Sequence, residues 1–456
     1  MDKMKRLFLL VLLVLCIVFA SCASEDHSKM DSEMGSEMDS EMTSAVDSEM
    51  DSKMDPEVVV SDLFIEGRNG GRVEWDPDSY SPLLPNIPDR VVDVESSRVS
   101  SWIAEQKSSN NWEIIIHNGI SESNDPSISY SIEKRTFKAG ELDLFSLKGK
   151  WISNLVSKPA TETMQTYARI SWLDVYKNDE TWDQLVFHCE PKDKYNISSK
   201  ILAEEYVFWI ESDPYSDPYQ PDWLLYGANL INGEIELIAD SDRYPLKTMP
   251  FIQVFEDRVF IGFHYIAGYG EVFEYDCKAH SFRHLYFKDC VGYDGYGIVM
   301  FNGILTSFDH DGTHVNALTY NVRTGEAAKY ILPLKSKAEF IYYAFCLGEW
   351  LVYSSNLGLT YGYHPLTDEW KVIADTSNIV PLNDHTLLLM NRGCYLVLYD
   401  TLTDKYRTIQ EVNIDYYGGN STFIHDRGFF ADNFFCMYEA ERNLEEYPVY
   451  IITANS

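Results

Sequence analysis

Positive charge is scarce in this chain of 456 residues, where 37 Lys and Arg face 71 Asp and Glu, for a formal net charge of -34. Nucleic-acid binding is excluded on that ground, because it requires a concentrated cationic surface that releases counterions from phosphate. Helical periodicity is almost absent, which rules out an α-solenoid and a doubly wound α/β fold. Recognisable catalytic motifs are missing too: there is no Gly-x-Ser-x-Gly elbow, His-Glu-x-x-His pair or P-loop. Gly268-Tyr269-Gly270 begins like a dinucleotide fingerprint but lacks its third glycine and helix, so no cofactor is expected. No Cys-x-x-Cys pair supports a structural zinc site or thioredoxin-like chemistry. Beyond residue 20 no run is apolar enough to span a bilayer. Aromatic side chains, by contrast, are plentiful: 31 Tyr, 23 Phe and 10 Trp supply ample core.

The N-terminus reads as an export signal over residues 1–21. Lys3, Lys5 and Arg6 precede the apolar stretch Leu7 to Ala20, which is short for a spanning helix and suits a signal peptide. Phe19-Ala20-Ser21-Cys22 resembles a bacterial lipobox, although Phe19 stands where an aliphatic residue is usual. That resemblance implies acylation of Cys22, a palmitate-type membrane anchor and a location on the extracytoplasmic face of the cell membrane. Plain secretion, with cleavage near Ser21-Cys22-Ala23, is the alternative. Six further cysteines remain: Cys189, Cys277, Cys290, Cys346, Cys394 and Cys436. Most lie in apolar strand-like runs and read as buried thiols, and the sequence does not fix their disulfide status.

Residues 22–57 repeat Asp-Ser-Glu-Met and its variants, with Met30, Met34, Met38, Met42, Met50 and Met54 among the repeated positions. From Ala23 onward, 12 carboxylates against 2 lysines and no aromatic residue predict a disordered, self-repelling tether. His27-Ser28-Lys29-Met30-Asp31 also resembles the Met/His-rich repeats of extracytoplasmic copper-resistance proteins, since thioethers favour Cu(I). The lone His27 makes a spacer the preferred reading over copper handling.

From residue 141 to 456 a strand pattern keeps returning. Its clearest marks are the hairpins Ala228-Asn229-Leu230-Ile231-Asn232-Gly233, Tyr275-Asp276-Cys277-Lys278-Ala279-His280, Tyr320-Asn321-Val322-Arg323-Thr324-Gly325, Tyr363-His364-Pro365-Leu366-Thr367-Asp368 and Tyr399-Asp400-Thr401-Leu402-Thr403-Asp404. Successive copies lie 47, 45, 43 and 36 residues apart; a weaker copy falls at Tyr438-Glu439 and an earlier one at Tyr176-Lys177-Asn178-Asp179. Such periods, with several short strands each, predict an all-β fold, a β-propeller. A single four-stranded sheet cannot bury both its faces, whereas radial stacking gives each sheet two neighbours. Seven blades are expected. Residues 58–140 are either a lead-in whose strand closes the ring or an eighth blade built on Trp112–Ile116 and Ser127–Tyr130.

The run Ile197-Ser198 to Tyr206-Val207-Phe208-Trp209 and the repeated Tyr-Asn/Asp-x-x-Thr-Gly/Asp resemble bacterial TolB-like and related lipoprotein propellers, here covering about residues 141–455. The resemblance implies a fold and almost nothing about activity. One constellation stands out. Connections between second and third strands gather on one face, and three of them carry Tyr215, Tyr219 and Trp223; His264, Tyr265 and Tyr269; and Asp309, His310 and His314. Aromatic faces beside carboxylates suit sugar rings or peptides. Asp309 to His314 also offers ligands for a metal, but Asp-x-Asp-Gly is ordinary turn chemistry, so no metal is assigned. The expected function is a non-catalytic, lipid-anchored binding module for a polysaccharide, peptide or partner protein. A carbohydrate- or peptide-active enzyme with its site at the channel mouth is the first alternative, and copper handling is the second.

Overall fold

A computed structural model describes residues 71–73, 89–91, 125–137, 144–159, 169–192, 194–217, 220–243, 249–265, 269–289, 297–310, 314–333, 341–374, 379–390, 396–409, 421–422, 434–439 and 447–455. The signal segment, Cys22, the tether and the proposed eighth-blade strand at 112–116 lie outside the described residues.

Among the described residues every regular element is a strand. The lead-in supplies β1 (Gly71–Arg72), β2 (Asp89–Val91) and β3 (Tyr130–Phe137). Sheet I follows, with β4 (Leu144–Lys148), β5 (Trp151–Pro159), β6 (Arg169–Lys177) and β7 (Leu185–Cys189). Sheet II holds β8 (Asn196–Leu202), β9 (Tyr206–Ser212), β10 (Trp223–Asn229) and β11 (Ile235–Asp240). Sheet III holds β12 (Phe251–Phe255), β13 (Arg258–Tyr265), β14 (Tyr269–Asp276) and β15 (Ser281–Asp289). Sheet IV holds β16 (Gly297–Phe301), β17 (Ile304–His310), β18 (His314–Asn321) and β19 (Ala327–Pro333). Sheet V holds β20 (Ile341–Leu347), β21 (Trp350–Ser355), β22 (Thr360–His364) and β23 (Glu369–Ala374). Sheet VI holds β24 (Ile379–Pro381), β25 (Thr386–Met390), β26 (Leu396–Asp400) and β27 (Lys405–Ile409). The C-terminal strands β28 (Ser421–Thr422), β29 (Phe434–Glu439) and β30 (Tyr447–Ala454) begin sheet VII.

Sheets I to VI are antiparallel meanders in chain order, and sheet VII is completed by β3 from the lead-in, in the order β28-β29-β30-β3. The fold is a β-propeller. Burial follows from radial stacking. Central strands are covered on both faces, as in β21 and β22, where every residue is buried, whereas the outer β7 and β27 are partly exposed. Apolar clusters bridge successive sheets: Val175, Phe187 and Trp209 join I to II, and Trp223, Phe263 and Phe273 join II to III. Phe260, Ile298 and Leu318 join III to IV, and a larger cluster runs on from IV through Ile452 in VII. At the remaining seam, Phe137 of β3 meets Tyr176 of sheet I edge to face at 5.3 Å.

The repeated hairpins are third-to-fourth turns, and one device builds them. The side chains of Asn229, Asp276, Asn321 and Asp400 accept hydrogen bonds from backbone N–H groups two and three residues on. Gly233, His280, Gly325, Asp368 and Asp404 then take positive φ, which Gly, Asn and Asp tolerate best.

One expectation needs correction. The weak copy at Tyr438-Glu439 ends a second strand, because among the described residues the C-terminal stretch supplies three strands of this sheet and β3 provides the fourth. The lead-in also contributes strands to the sheets. β3 pairs with β30 along its whole length, while β1 and β2 add parallel fifth strands to the outer edges of sheets II and IV. Between β2 and β3 the lead-in crosses sheet VI, where Asp125 N–H donates to the Tyr406 carbonyl and Arg407 reaches the Ile128 carbonyl.

Candidate functional site

The three aromatic- and acid-bearing segments do sit between second and third strands, on neighbouring sheets II, III and IV. Only one of them is a long connection. β13 continues through His264 and Tyr265 and β14 starts at Tyr269, with Tyr265 paired to Tyr269 and His264 to Gly270. β17 likewise includes Asp309 and His310, and β18 starts at His314, with Asp309 opposite Asn316 and His310 opposite Val315. These residues are therefore ladder positions at the ends of hairpins. Tyr and His fit a pleated strand, so the ladder extends where the sequence reads as loop. The side chains of His264, Tyr265, Tyr269, Asp309, His310 and His314 lie outside the described residues, as does Tyr219.

Trp223 is a correction of another kind. It is 0% exposed, with its ring against Phe263 at 5.7 Å, and so belongs to the core between sheets II and III. Its indole N–H has no hydrogen-bond partner. At this position on β10 the ring faces sheet III and cannot offer its face to solvent.

What remains is the turn that begins at Asp213 and carries Tyr215, which is 65% exposed. Asp213 turns the chain by accepting from Tyr215 N–H at 2.9 Å, and its carbonyl accepts from Ser216 N–H and Oγ. Ser216 Oγ also accepts from Asp222 N–H, and Asp213 N–H donates to the Asp222 carbonyl, which closes the base of the turn. Lys194, from the segment before β8, places its ammonium 2.5 Å from Asp222 and 3.3 Å from Asp213. Tyr195 OH and Ser241 Oγ also donate to Asp222, at 3.0 and 3.2 Å. Burial opposes ionisation of Asp222, but Lys194 and Tyr195 outweigh it and hold the carboxyl below its ordinary value. Burial, then the bond to Asp222, pushes the Tyr195 phenol up to about 12. Lys194, Tyr195 and Ser241 thus satisfy the carboxylates at the base of this turn, and Tyr215 stands exposed on it.

Polar clusters that sequence reasoning did not single out occur at the seams. Between II and III, Glu236 takes a hydrogen bond from Tyr275 OH at 2.7 Å and an ion pair with His280 at 2.7 Å, beside a small cavity lined by Tyr206, Phe208 and Cys277. Between V and VI, Lys371 bonds Asp404 at 2.9 Å and lies 4.1 Å over the Trp350 ring. In sheet I, Asp174 holds His188. The signal was present, since a charged residue on an outer strand faces the Tyr of the next hairpin, but it needs the blade register to be read. Among the described residues no group of three or more His, Cys, Asp or Glu is arranged to hold a metal ion. Cys189, Cys277 and Cys346 are free thiols. No helix among the described residues is long and apolar enough to cross a membrane.

No family model matches the sequence, and no curated protein matches it. Among solved structures, the chain is similar to an acylaminoacyl peptidase from Pyrococcus horikoshii, with 11% identity and a TM-score of 0.44 over 66% of this chain and 49% of that one. It is similar to prolyl oligopeptidase B from Galerina marginata, with 10% identity and a TM-score of 0.42 over 68% of this chain and 46% of that one. It is similar also to the Dos1 propeller, with 10% identity and a TM-score of 0.39 over 69% of this chain and 94% of that one. The chain spans about half the length of the two peptidases. At these identities the likeness concerns fold alone, and the propeller assignment rests on the sheet order described above.

Proposed function

We propose that the chain is a lipid-anchored, extracytoplasmic binding module whose propeller is held off the membrane by the acidic tether. Its ligand is a polysaccharide, a peptide or a partner protein, taken at the strand 2–3 end of sheets II to IV. The observation that carries this reading is the turn starting at Asp213, tied at its base by Lys194 between Asp213 and Asp222, with Tyr215 exposed to solvent. The lipobox-like Cys22 and the repeat at 22–57 support the anchoring part. The excess of carboxylates favours neutral or basic ligands over polyanions.

Two experiments test the reading. Cys22→Ala should move the protein from the membrane fraction into the medium, and a wild-type protein that is already soluble would end the anchoring part. Glycan and peptide arrays should then be screened with wild type and Tyr215→Ala. A stacked ring is worth ~0.5–1.5 kcal/mol beyond its buried area, so affinity should fall roughly two- to tenfold. Equal binding by Tyr215→Ala would move the site off this turn.

A further inference from the structure

The seam between sheets VII and I is where the two ends of the fold meet. β3 comes from the lead-in, pairs with the C-terminal β30, and lies against sheet I. One row of side chains on β6 faces it. Tyr176 packs its ring on Phe137, which is 0% exposed, and its OH reaches Asp174 at 3.3 Å. Trp172 Nε1 donates to the same carboxylate oxygen at 3.1 Å. The other oxygen lies 2.6 Å from His188 Nδ1, and His188 is the direct cross-strand partner of Asp174 on the edge strand β7. Neighbouring groups on β6 point to alternate faces: Leu173 and Val175 enter the core toward sheet II, which leaves Asp174 and Tyr176 to the closing seam.

We propose that the closing seam responds to pH through His188, whose proton tightens the Asp174 row against β3 and whose loss loosens it. Two carboxylates face the imidazole. Asp174 faces Nδ1, Glu190 Oε1 stands 3.8 Å from Nε2, and Tyr176 shares the carboxylate. From β3, Arg135 is directed elsewhere, to Glu133, the Asn178 side chain and the Asp179 carbonyl, while Lys134 lies over Tyr450. The proton on His188 thus meets two carboxylates. The bond to Asp174, working against burial and aided by the charges of Asp174 and Glu190, raises the His188 pKa above its ordinary 6.5. A group raised on folding gives its full stabilisation below pH ~6.5 and loses it as the pH climbs through the folded value. An exported protein meets such changes directly, and this seam lies at the end of the lead-in that runs back toward the expected anchor.

The test is hydrogen exchange on the full chain at about pH 5.5 and about pH 8.5, corrected for intrinsic rates, with His188→Gln and Asp174→Asn as variants. Wild type should lose protection in β3 and β30 at the higher pH while the central strand β21 keeps it. His188→Gln should show low protection in β3 at both pH values, with β21 protection certifying that it folds. Asp174→Asn should also abolish the pH dependence. The proposal is overturned if β3 protection in wild type does not change relative to β21, or if His188→Gln retains the wild-type pH dependence, which would assign the effect to another histidine.

Discussion

Gly348→Ala and Gly325→Ala separate backbone conformation from contact between blades. Both glycines have positive φ, +56° and +76°, in tight turns of sheets V and IV. A Cβ on Gly325 would meet nothing within 4 Å, whereas one on Gly348 would come 2.6 Å from the backbone carbonyl oxygen of Asp384, in the turn between β24 and β25 of the next sheet. The left-handed conformation costs an L-residue roughly 1–2 kcal/mol, and a stiffer unfolded chain returns ~0.4–1 of that. Gly325→Ala should therefore destabilise by ~0–1.6 kcal/mol. At Gly348 the clash is with backbone that cannot rotate away, so an overpacking cost of ~1–3 kcal/mol is added. Urea titration followed by Trp fluorescence, comparing midpoints at unchanged slope, measures both. Equal losses for the two variants would refute the claim that the turn of sheet V is pressed against the turn of sheet VI.

Three further outcomes follow from buried polar groups. Trp223→Phe should be tolerated better than Trp209→Phe in thermal unfolding, because the Trp223 indole N–H is unpartnered while that of Trp209 donates to buried Glu211 at 3.0 Å. The Cys277 thiol, pushed up by burial and then by Glu236, Asp257 and Asp276, should resist alkylation at pH 8 until denaturant is added, as read by mass spectrometry of its peptide. Lys371→Met should cost about 1–2 kcal/mol at neutral pH, a modest figure because Asp404 is 68% exposed and screened. Burial opposes the Asp404 charge, but Tyr399 and Lys371 outweigh it and lower its pKa, so the gap between wild type and Lys371→Met should close as the pH falls below 3.8.

The fold was legible because its strongest signal is local. Asn229, Asp276, Asn321 and Asp400 each cap a turn with their own side chain, so the hairpin is written within six residues and repeats where the blade repeats. Ring closure was less legible for the opposite reason. β3 and β30 are partners more than 300 residues apart, Tyr130 pairing with Ala454, and no turn chemistry links them. The short parallel strands at Gly71–Arg72 and Asp89–Val91 are two and three residues long, too short for an alternating pattern to show.

The candidate site shows the same division between what is local and what depends on register. Tyr215 was found because Asp213-Pro214-Tyr215-Ser216 is a turn in any context. Trp223, eight residues on, has the same aromatic and acidic surroundings in sequence and the opposite fate, because it is the first residue of β10 and opposite Ser212 on β9. One step of register decides whether an aromatic at a hairpin end becomes platform or core. The same step turned His264, Tyr265, Asp309 and His310 from loop residues into ladder positions. Asp174 and His188 needed register as well, since they meet only because β6 and β7 pair with a shift between Val175 and Tyr176. Sites on a propeller are set by which residue each strand ends on, and a substitution that shifts a 2–3 hairpin by one position would exchange its buried and displayed aromatics.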